Sequence, residues 1–393
     1  MIIFRIFASV IIGYDAKRIV RNATGLGNYG RTLVNDIAGY EGVDLHLYAP
    51  DMGREDLRAQ VASGLNWHFA RQHPGSAPLS PEAHGRPGLH VVPSSLWRTW
   101  GIVNDLKRDG IQLYHGLSGE LPVGIRKSGI KSVVTIHDLI FLRHPEYYHW
   151  LDTKIYAWKF RQAVREADHI IAISECTKRD IMELGGVDER RISVIYQSCA
   201  PRFSLPVSQS VKGRRYLLSV GSIEERKNIL LAVKALHYLP EDLSLVVVGR
   251  HTKYTDAVEA YVRQNGLSDR VQILHGITDE QLPALYAGAE VFVYPSRYEG
   301  FGIPVIEAVS CGLPVVACTG SCLEEAGGPD NLYVSPDDEQ AMATAIRRVL
   351  RGAEGREERI RRSREYIRRF EGNDVASQVV ALYRSLLYFE SPS

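Results

Sequence analysis

Several features that define large classes of protein are missing from this 393-residue sequence. Lys and Arg number 47 against 46 Asp and Glu, so no excess of positive charge indicates a nucleic-acid partner. The apolar stretch at residues 1–14 is too short to span a bilayer and contains Arg5, so we expect it to form the first buried strand. The chain length and the 45% apolar content instead predict a globular protein with two domains.

Cysteine is scarce, and the usual metal-binding spacings are missing. The five cysteines form no Cys-x-x-Cys pair, which is typical of reduced thiols in a cytoplasmic compartment. A metal site at Cys318 and Cys322 is the weaker alternative, because no nearby His or Cys completes it. The sequence also contains no Asp-x-Asp and no His-Glu-x-x-His. We therefore expect a functional site without a metal ion and without a bound cofactor.

Short buried strands alternate with helical stretches along the chain, a pattern typical of an α/β fold with parallel sheets. The alternation pauses at residues 197–215, where two prolines and several serines indicate an interdomain linker. We therefore place the first domain at 1–200, the second at 201–372 and a final helix at 373–393. Within the first domain, we expect a helix over 51–61 and a connector or acceptor-side loop over 71–92.

The stretch from Val291 to Gly312 contains a buried strand, a glycine-containing loop and a helix that Pro304 can begin. Open α/β sheets bind ligands where their strands end, and a helix N-terminus there attracts anions. The main-chain amides expected to face a phosphate group are those of Phe301, Gly302 and Ile303.

Two carboxylates, Glu299 and Glu307, bracket these amides. Glu299 precedes them in the loop, and Glu307 lies about one turn inside the helix. The two carboxylates can therefore hold hydroxyl groups on opposite sides of one phosphate. The plainer alternative is that Glu299 is a solvated loop charge and Glu307 an exposed helix position.

Two adjacent cations, Arg226 and Lys227, follow another predicted strand at the turn into its helix. Arg226 can bind one phosphate through its guanidinium fork, and Lys227 can act as a point charge on a second. In isolation, the same pair is equally typical of a solvated charged turn.

Histidines follow two predicted strands of the first domain. His115, His137 and Asp138 are candidate site residues, because the ends of parallel strands point into the ligand crevice. We favour His137 over His115. Without further evidence, a histidine that caps a neighbouring loop would be the simpler interpretation of either.

Gly25, Gly27 and Gly30 match the dinucleotide-binding fingerprint in letters but not in context. That fingerprint begins where a strand ends, and here about ten residues intervene, so a NAD site is the minority interpretation. The alternatives are a flexible loop that lets backbone approach a ligand, and a plain turn into a helix.

Residues 141–161 interleave seven aromatic side chains with Lys and Arg. Such a segment can lie on a membrane surface and recruit a lipid-linked acceptor. It can also be a helix packed on the sheet with its charged face in water, which is the interpretation we favour.

These motifs occur in an order that resembles the retaining glycosyltransferases of family 4, which have the GT-B fold. The matching features are the glycine loop with Asn28 and Tyr29, then His137, then the Arg-Lys pair, then two Glu residues separated by seven positions. The resemblance implies two Rossmann-like domains whose parallel sheets face a central cleft, with the last helix crossing back to the first domain. Two departures are Glu225, where the family usually has Pro, and Leu323-Glu324-Glu325, which matches the family's Pro-Glu-Val only loosely.

The resemblance also implies a role for each matching residue. His137 and Glu299 would bind the donor sugar, and Glu307 would bind the nucleotide ribose. The nucleobase would contact the main chain at Gly276 and Ile277. The residues that it assigns to the donor diphosphate are Arg226, Lys227, Gly25, Gly27, Phe301, Gly302 and Ile303.

The expected function is transfer of a hexosyl unit from a nucleotide-diphosphate sugar, with GDP-mannose preferred, to a glycan or lipid-linked glycan. The resemblance implies retention of anomeric configuration, and the missing metal motifs predict a metal-independent reaction. We expect the protein in the cytoplasm, either free or peripheral at the inner face of the membrane. The alternatives are a nucleotide-sugar epimerase, a glycogen-type phosphorylase and a non-catalytic protein that binds sugar nucleotides.

Overall fold

The computed structural model describes residues 9–70, 96–205, 215–370 and 374–388. Two α/β units follow each other along the chain, each built on one parallel sheet, which confirms the predicted fold class. The predictions for residues 1–8, for the loop at 71–92 and for positions 206–214 of the linker lie outside the described residues.

The first domain has a parallel sheet of seven strands. They are β1 (Val10–Asp15), β2 (Val43–Ala49), β3 (Asn66–Phe69), β4 (Leu113–Gly116), β5 (Lys131–Ile136), β6 (His169–Ala172) and β7 (Ile192–Val194). Their order in the sheet is β3-β2-β1-β4-β5-β6-β7. The order therefore reverses between β1 and β4, and crevices form at such switch points.

Helices cover both faces of this sheet. They are α1 (Lys17–Arg21), α2 (Gly25–Ala38), α3 (Glu55–Arg58), α4 (Ile102–Arg108), α5 (Ile140–Arg143), α6 (Trp150–Glu166) and α7 (Glu175–Gly185), with a π-helical turn at Trp97–Gly101. One hydrophobic cluster contains β1 with α2, and another contains residues of β5 and β6 with α6. The packing holds the carboxyl ends of the strands at one edge of the domain.

The second domain has a parallel sheet of six strands. They are β8 (Tyr216–Val220), β9 (Ser244–Val248), β10 (Val271–Leu274), β11 (Val291–Tyr294), β12 (Val315–Cys318) and β13 (Leu332–Val334). Their order is β10-β9-β8-β11-β12-β13, so the second switch point lies between β8 and β11.

The helices of the second half cover this sheet and then return to the first domain. They are α8 (Ile229–Ala235), α9 (Lys253–Gln264), α10 (Leu282–Gly288), α11 (Ile303–Ser310), α12 (Leu323–Gly327), α13 (Glu339–Arg347), α14 (Arg356–Ile367) and α15 (Val375–Tyr388). Five buried residues of α15 belong to the same cluster as β1 and α2. The last helix therefore packs on the first domain.

Two local predictions for the first domain are wrong. The helix expected over 51–61 is the single turn Glu55–Arg58, because Asp51 accepts the Gly53 amide in a turn and Asn35 accepts the Ala62 amide. The predicted glycine loop is also helical, since α2 begins at Gly25 rather than after it. Ser174 is the N-cap of α7, because its side chain accepts the Thr177 amide.

None of the helices within the described ranges is both long enough and apolar enough to cross a membrane.

Candidate functional site

The site of the second domain lies at the carboxyl ends of β8 and β11, on either side of its switch point. Arg226 and Lys227 lie in a short 3-10 turn after β8, and Glu299 lies in the loop after β11. Because these strands are neighbours, cations and a carboxylate separated by more than seventy positions in the sequence are brought into direct contact. The turn brings both cations to the site although Glu225 stands in place of the family's usual Pro.

Glu299 is the centre of this cluster. Its Oε1 atom accepts from Lys227 Nζ at 2.5 Å and from Ser296 Oγ at 2.6 Å. The same oxygen lies 3.1 Å from Arg226 Nη1 and 3.2 Å from the Tyr294 hydroxyl. All four contacts use Oε1, and no described residue bonds to Oε2, so Oε2 is the oxygen available to a ligand hydroxyl.

The charges of this cluster are fixed by mutual pairing. Burial alone would raise the pKa of Glu299, but Lys227 and Arg226 outweigh burial and lower that pKa to about 2. Burial likewise opposes the charge on Lys227, and Glu299 more than compensates, so the pKa of Lys227 is raised. Glu299 is therefore an anion at neutral pH, paired with two cations.

Glu307 occupies a different electrostatic environment one helix turn into α11. Burial raises its pKa to about 7, although the hydrogen bond from the Tyr286 hydroxyl to Oε2, at 2.9 Å, acts in the opposite direction. Arg202 also lowers this pKa, while Arg202 itself is paired with Asp279 at 2.9 Å. Glu307 thus changes charge near neutral pH, unlike Glu299.

The loop after β10 contains the predicted base-binding positions, Gly276 and Ile277. His275 Nδ1 lies 2.6 Å from the Gly249 carbonyl oxygen, which joins this loop to the end of β9. Asp279 of the same loop contributes to the electrostatics of Glu307. The predicted ribose and base positions are therefore near each other.

The amides that we predicted to face a phosphate lie at the start of α11. Gly302 has φ of +109°, which favours glycine, and Pro304 lies in the first turn of the helix. Within the described part of the chain, the amides of Phe301, Gly302 and Ile303 have no hydrogen-bond acceptor. An anionic ligand can supply one.

His137 follows β5 in the first domain, and both of its ring nitrogens are occupied. Nε2 lies 2.9 Å from the Leu117 carbonyl oxygen, and Nδ1 lies 3.2 Å from Gln197 Nε2. The ring packs edge-to-face on Tyr29 at 4.9 Å. Burial lowers the pKa of His137 to about 4, so the ring is neutral at physiological pH.

His115, our other strand-end candidate, does not reach the crevice. It is fully buried, with Nδ1 2.5 Å from the Tyr383 hydroxyl and Nε2 2.8 Å from Thr135 Oγ1. Thr135 in turn contacts the Tyr29 hydroxyl at 3.2 Å. His115 thus belongs to a polar chain that runs from α15 to the residue packed on His137.

The glycines of α2 lie beside the first switch point, but in a helical turn. A Cβ atom on Gly27 would overlap the Asn22 carbonyl oxygen, whereas one on Gly25 would meet nothing within 4 Å. Arg31 holds this turn from inside the domain through the carbonyl oxygens of Ile19 and Asn22. Gly27 is therefore required by packing whether or not a ligand contacts it.

The loop that contains Glu299 in the second domain contacts the end of β5 in the first domain at Gly300. A Cβ atom there would overlap the His137 carbonyl oxygen, and the Gly300 carbonyl accepts from Ser174 Oγ at 2.7 Å. The loop that contains Glu299 is thereby held against the strand end that contains His137. Both predicted sugar-binding residues lie on the same interdomain contact.

Two known protein families together match most of this sequence. The family description "Glycosyltransferase Family 4" matches residues 23–198, and "Glycosyl transferases group 1" matches residues 203–366. O-antigen chain mannosyltransferase B of Escherichia coli is 31% identical over 70% of this chain and 74% of its own length. The chain belongs to the group 1 glycosyltransferases of family 4. It is accordingly a hexosyltransferase, as the order of its motifs predicted.

This glycosyltransferase also resembles more distant proteins. O-antigen chain mannosyltransferase RfbU of Salmonella typhimurium is 29% identical over 63% of this chain and 67% of its own length. Among solved structures, sucrose-phosphate synthase from Thermosynechococcus elongatus has a TM-score of 0.73 at 21% identity, covering 97% of this chain and 100% of that chain. The structural likeness confirms the predicted GT-B fold.

Sequence reasoning missed several residues of the glycosyltransferase site. Tyr294 and Ser296 both donate to Glu299, and Tyr286 donates to Glu307. Tyr294 ends the predicted strand β11 and Ser296 follows it, so their position beside the crevice could be predicted from the sequence. Their contact with Glu299 could not. Across the described ranges, no group of three or more His, Cys, Asp or Glu residues is placed to hold a metal ion.

Proposed function

We propose that this glycosyltransferase moves a hexosyl unit from a nucleotide-diphosphate sugar to a glycan or lipid-linked glycan, with retention and without a metal ion. The observation that carries the proposal is the cluster of Arg226, Lys227 and Glu299 at the switch point of the second sheet. Two fixed cations suit a diphosphate, and the free oxygen of Glu299 suits a sugar hydroxyl beside it.

The cations supply the charge that the leaving group needs. A departing nucleoside diphosphate gains negative charge, and fixed cations stabilise that charge without having to reorganise. Arg226 and Lys227 are held by Glu299 before the donor binds, so their positions are already set. The amides from Phe301 to Ile303, which have no acceptor among the described residues, add hydrogen-bond donors at the start of α11.

In the transfer itself, the bond between C1 of the sugar and the diphosphate oxygen breaks as a bond forms from C1 to the acceptor oxygen. The acceptor attacks on the face that the diphosphate leaves, which retains the configuration. The proton of the acceptor hydroxyl passes to the departing diphosphate oxygen, so the protein need not exchange a proton. His137, neutral because burial lowers its pKa to about 4, orients the sugar by exchanging the Gln197 contact at Nδ1 for a sugar hydroxyl, and it transfers no proton.

The nucleoside is held at the other end of α11. Glu307 accepts the ribose hydroxyls, and the base lies against the main chain at Gly276 and Ile277. The proximity of Asp279 to Glu307 supports a single nucleoside site across these two elements. The glycines Gly25 and Gly27 approach the diphosphate from the first domain.

GDP-mannose is the preferred donor, because both curated relatives described above are named as mannosyltransferases. Both are also named for the O-antigen chain, a surface glycan, which supports a glycan or lipid-linked glycan as acceptor. Such an acceptor is met in the cytoplasm or at the inner face of the membrane.

A transfer assay tests this proposal. The protein is incubated with a panel of GDP-, UDP- and ADP-sugars and p-nitrophenyl α-mannoside as a simple acceptor, with and without EDTA. The anomeric proton of the product is then recorded by NMR. We expect an α-linked mannoside from the α-linked donor GDP-mannose, at a rate that EDTA does not change and that Arg226→Ala abolishes. An inverted product, a loss of activity in EDTA, or an epimerised donor without transfer would overturn the proposal.

A further inference from the structure

Helix α6 is apolar on two opposite faces. Its inner face packs in the core of the first domain through Ala157, Phe160 and Ala163, as we favoured from the sequence. On its outer side, large apolar residues remain exposed: Trp150 (58%), Leu151 (47%), Ile155 (49%) and Trp158 (47%). Core packing therefore does not explain the two tryptophans of this helix.

Basic residues share this outer side, and acidic residues do not. At about 100° per residue, the exposed apolar residues and three cations lie within an arc of about 140°. We call this set the outer face of α6, and its members are Trp150, Leu151, Lys154, Ile155, Trp158, Arg161 and Arg165. Asp152 and Glu166, the acidic residues of the helix, project outside the arc.

The cations of the outer face have no acidic partners among the described residues. Lys154, Arg161 and Arg165 form no ion pair there, and Lys154 Nζ lies 4.7 Å above the Trp150 ring. Long basic side chains over exposed aromatic rings are typical of the interface between water and lipid.

A second exposed segment is connected to α6 by a shared ion pair. Leu96 and Trp100, at the start and within the π-helical turn, are 43% and 51% exposed. Arg98 of that turn and Lys159 of α6 both pair with Glu120, at 2.6 and 3.1 Å. The Glu120 carboxylate therefore ties the π-helical turn to α6.

The same carboxylate connects α6 to the crevice of the first domain. Arg98 also pairs with Asp15 at 2.9 Å, and Asp15 ends β1 at the switch point. A partner bound to the outer face would therefore lie near the crevice of the first domain, and this crevice faces the donor site.

We propose that the outer face of α6, with Leu96 and Trp100, binds the surface of an anionic phospholipid bilayer and brings the crevice of the first domain to it. The inference rests on the proposed transfer function, and it makes the acceptor a glycan linked to a membrane lipid. Charge complementarity selects this occupant, because the face has cations, indole rings and no carboxylate. A lipid-linked acceptor then extends from the bilayer directly into the crevice.

Sedimentation with lipid vesicles tests this proposal on the full-length protein. Binding is measured to vesicles of phosphatidylcholine alone and of phosphatidylcholine mixed with phosphatidylglycerol. We expect binding to the mixed vesicles, weakened about a hundredfold when Lys154, Arg161 and Arg165 are all changed to Gln, since each cation contributes about fivefold. Changing Trp150 and Trp158 together to Ser should weaken it by roughly tenfold or more.

The matched control is Tyr238→Ser, which removes an exposed aromatic residue from the second domain and should leave vesicle binding unchanged. Absence of binding to the mixed vesicles, or equal binding by the Trp150→Ser, Trp158→Ser variant, would overturn the proposal. Self-association that these two substitutions abolish, without vesicle binding, would instead make a second copy of the chain the occupant.

Nucleotide binding separates this inference from the proposed function. The outer-face variants should keep the wild-type increase in melting temperature with a nucleotide-diphosphate ligand, because α6 contributes nothing to the donor site. Vesicle binding without any nucleotide effect in the wild type would contradict the transfer function alone. A nucleotide effect without vesicle binding would contradict only the membrane surface.

Discussion

Glu299 and Glu307 differ in charge near neutral pH because their surroundings differ. Lys227 and Arg226 hold the pKa of Glu299 at about 2, so that side chain is always an anion. Burial without a cationic partner in contact raises the pKa of Glu307 to about 7. The same residue type therefore serves as a fixed charge at one end of the donor site and as a titrating group at the other.

We expect nucleotide affinity to decrease as the pH falls below about 7, because Glu307 accepts both ribose hydroxyls only when it is ionised. The dissociation constant should rise by up to about tenfold per pH unit. Titration calorimetry at several pH values measures this, and Glu307→Gln should remove the dependence. An unchanged wild-type affinity on both sides of pH 7 would contradict the assignment of Glu307.

The same group affects stability with a defined sign. Between its ordinary pKa of 4.5 and its folded value of about 7, the folded protein holds a proton that the unfolded chain has lost. Its contribution to the free energy of unfolding therefore falls as the pH rises through that window.

Substitution of Glu299 should separate turnover from nucleotide binding. Glu299→Gln removes the carboxylate that pairs with both largely buried cations, so we expect the unfolding free energy to fall by about 3 kcal/mol. Turnover should decrease by about 10²- to 10³-fold, as for loss of a positioned polar group. Affinity for the free nucleoside diphosphate should stay or increase, because the competing carboxylate is gone.

Steady-state kinetics and calorimetry on the same preparation measure both quantities. Ser296→Ala, which removes one hydrogen bond to Glu299 and no charge, is the control and should not reproduce the large loss of turnover. Loss of nucleoside diphosphate binding in Glu299→Gln would contradict our account of the cluster.

At the scale of single elements, the first turn of α2 offers a matched pair of glycines. Gly25→Ala meets open space in a helix and should stabilise the protein by about 0.5 to 1 kcal/mol. Gly27→Ala places Cβ on the Asn22 carbonyl oxygen and should destabilise it by about 1 to 3 kcal/mol. Chemical denaturation measures both, and equal effects would show that the packing around Asn22 is not as described.

The strands and their polar ends could be predicted from the sequence, because each buried strand is a short apolar run that stops at a polar residue. That pattern located the Arg-Lys pair and Glu299 at the carboxyl ends of strands in the second sheet, and His137 at the carboxyl end of a strand in the first sheet. It also located the helix that begins near Pro304, since proline favours the first turn of a helix.

Contacts between distant segments could not be predicted in the same way. Glu299 was expected beside the phosphate amides, but its pairing with Lys227 depends on the adjacency of β8 and β11. The helical start at Gly25 depends on Arg31, which binds the carbonyl oxygens just before the turn. The sequence indicated that His115 lies in the crevice, but its Nδ1 atom is bonded to the hydroxyl of Tyr383, a residue near the other end of the chain.

At the scale of the whole molecule, the two domains are joined by contacts around α7. The Glu325 carboxylate accepts from the amides of Glu175 and Cys176, at 2.7 and 3.1 Å, and so caps the start of α7 across the interface. Tyr298 from the second domain also donates to Asp180 of α7 at 2.7 Å. Glu325 lies in the segment where this sequence departs from the family pattern.

Removal of this cap should loosen the domains without altering the donor cluster. We expect Glu325→Ala to lower the free energy of unfolding by about 1 to 2 kcal/mol and to raise the KM for the donor. The neighbouring Glu324→Ala is the control, since Glu324 bonds only to Thr319 within the second domain among the described contacts. Denaturation curves and kinetics that show the same change for both variants would rule out a specific role for the cap.

The most direct test of the metal-free donor site is thermal unfolding with GDP, UDP and ADP and their sugars, in the presence of EDTA. A ligand at about 100 times its dissociation constant stabilises the native state by roughly 2.7 kcal/mol. We predict a base-selective increase in melting temperature, strongest for the guanine nucleotides, that survives EDTA and is lost in Arg226→Ala. An increase that EDTA abolishes, or one that Arg226→Ala retains in full, would contradict the site we describe.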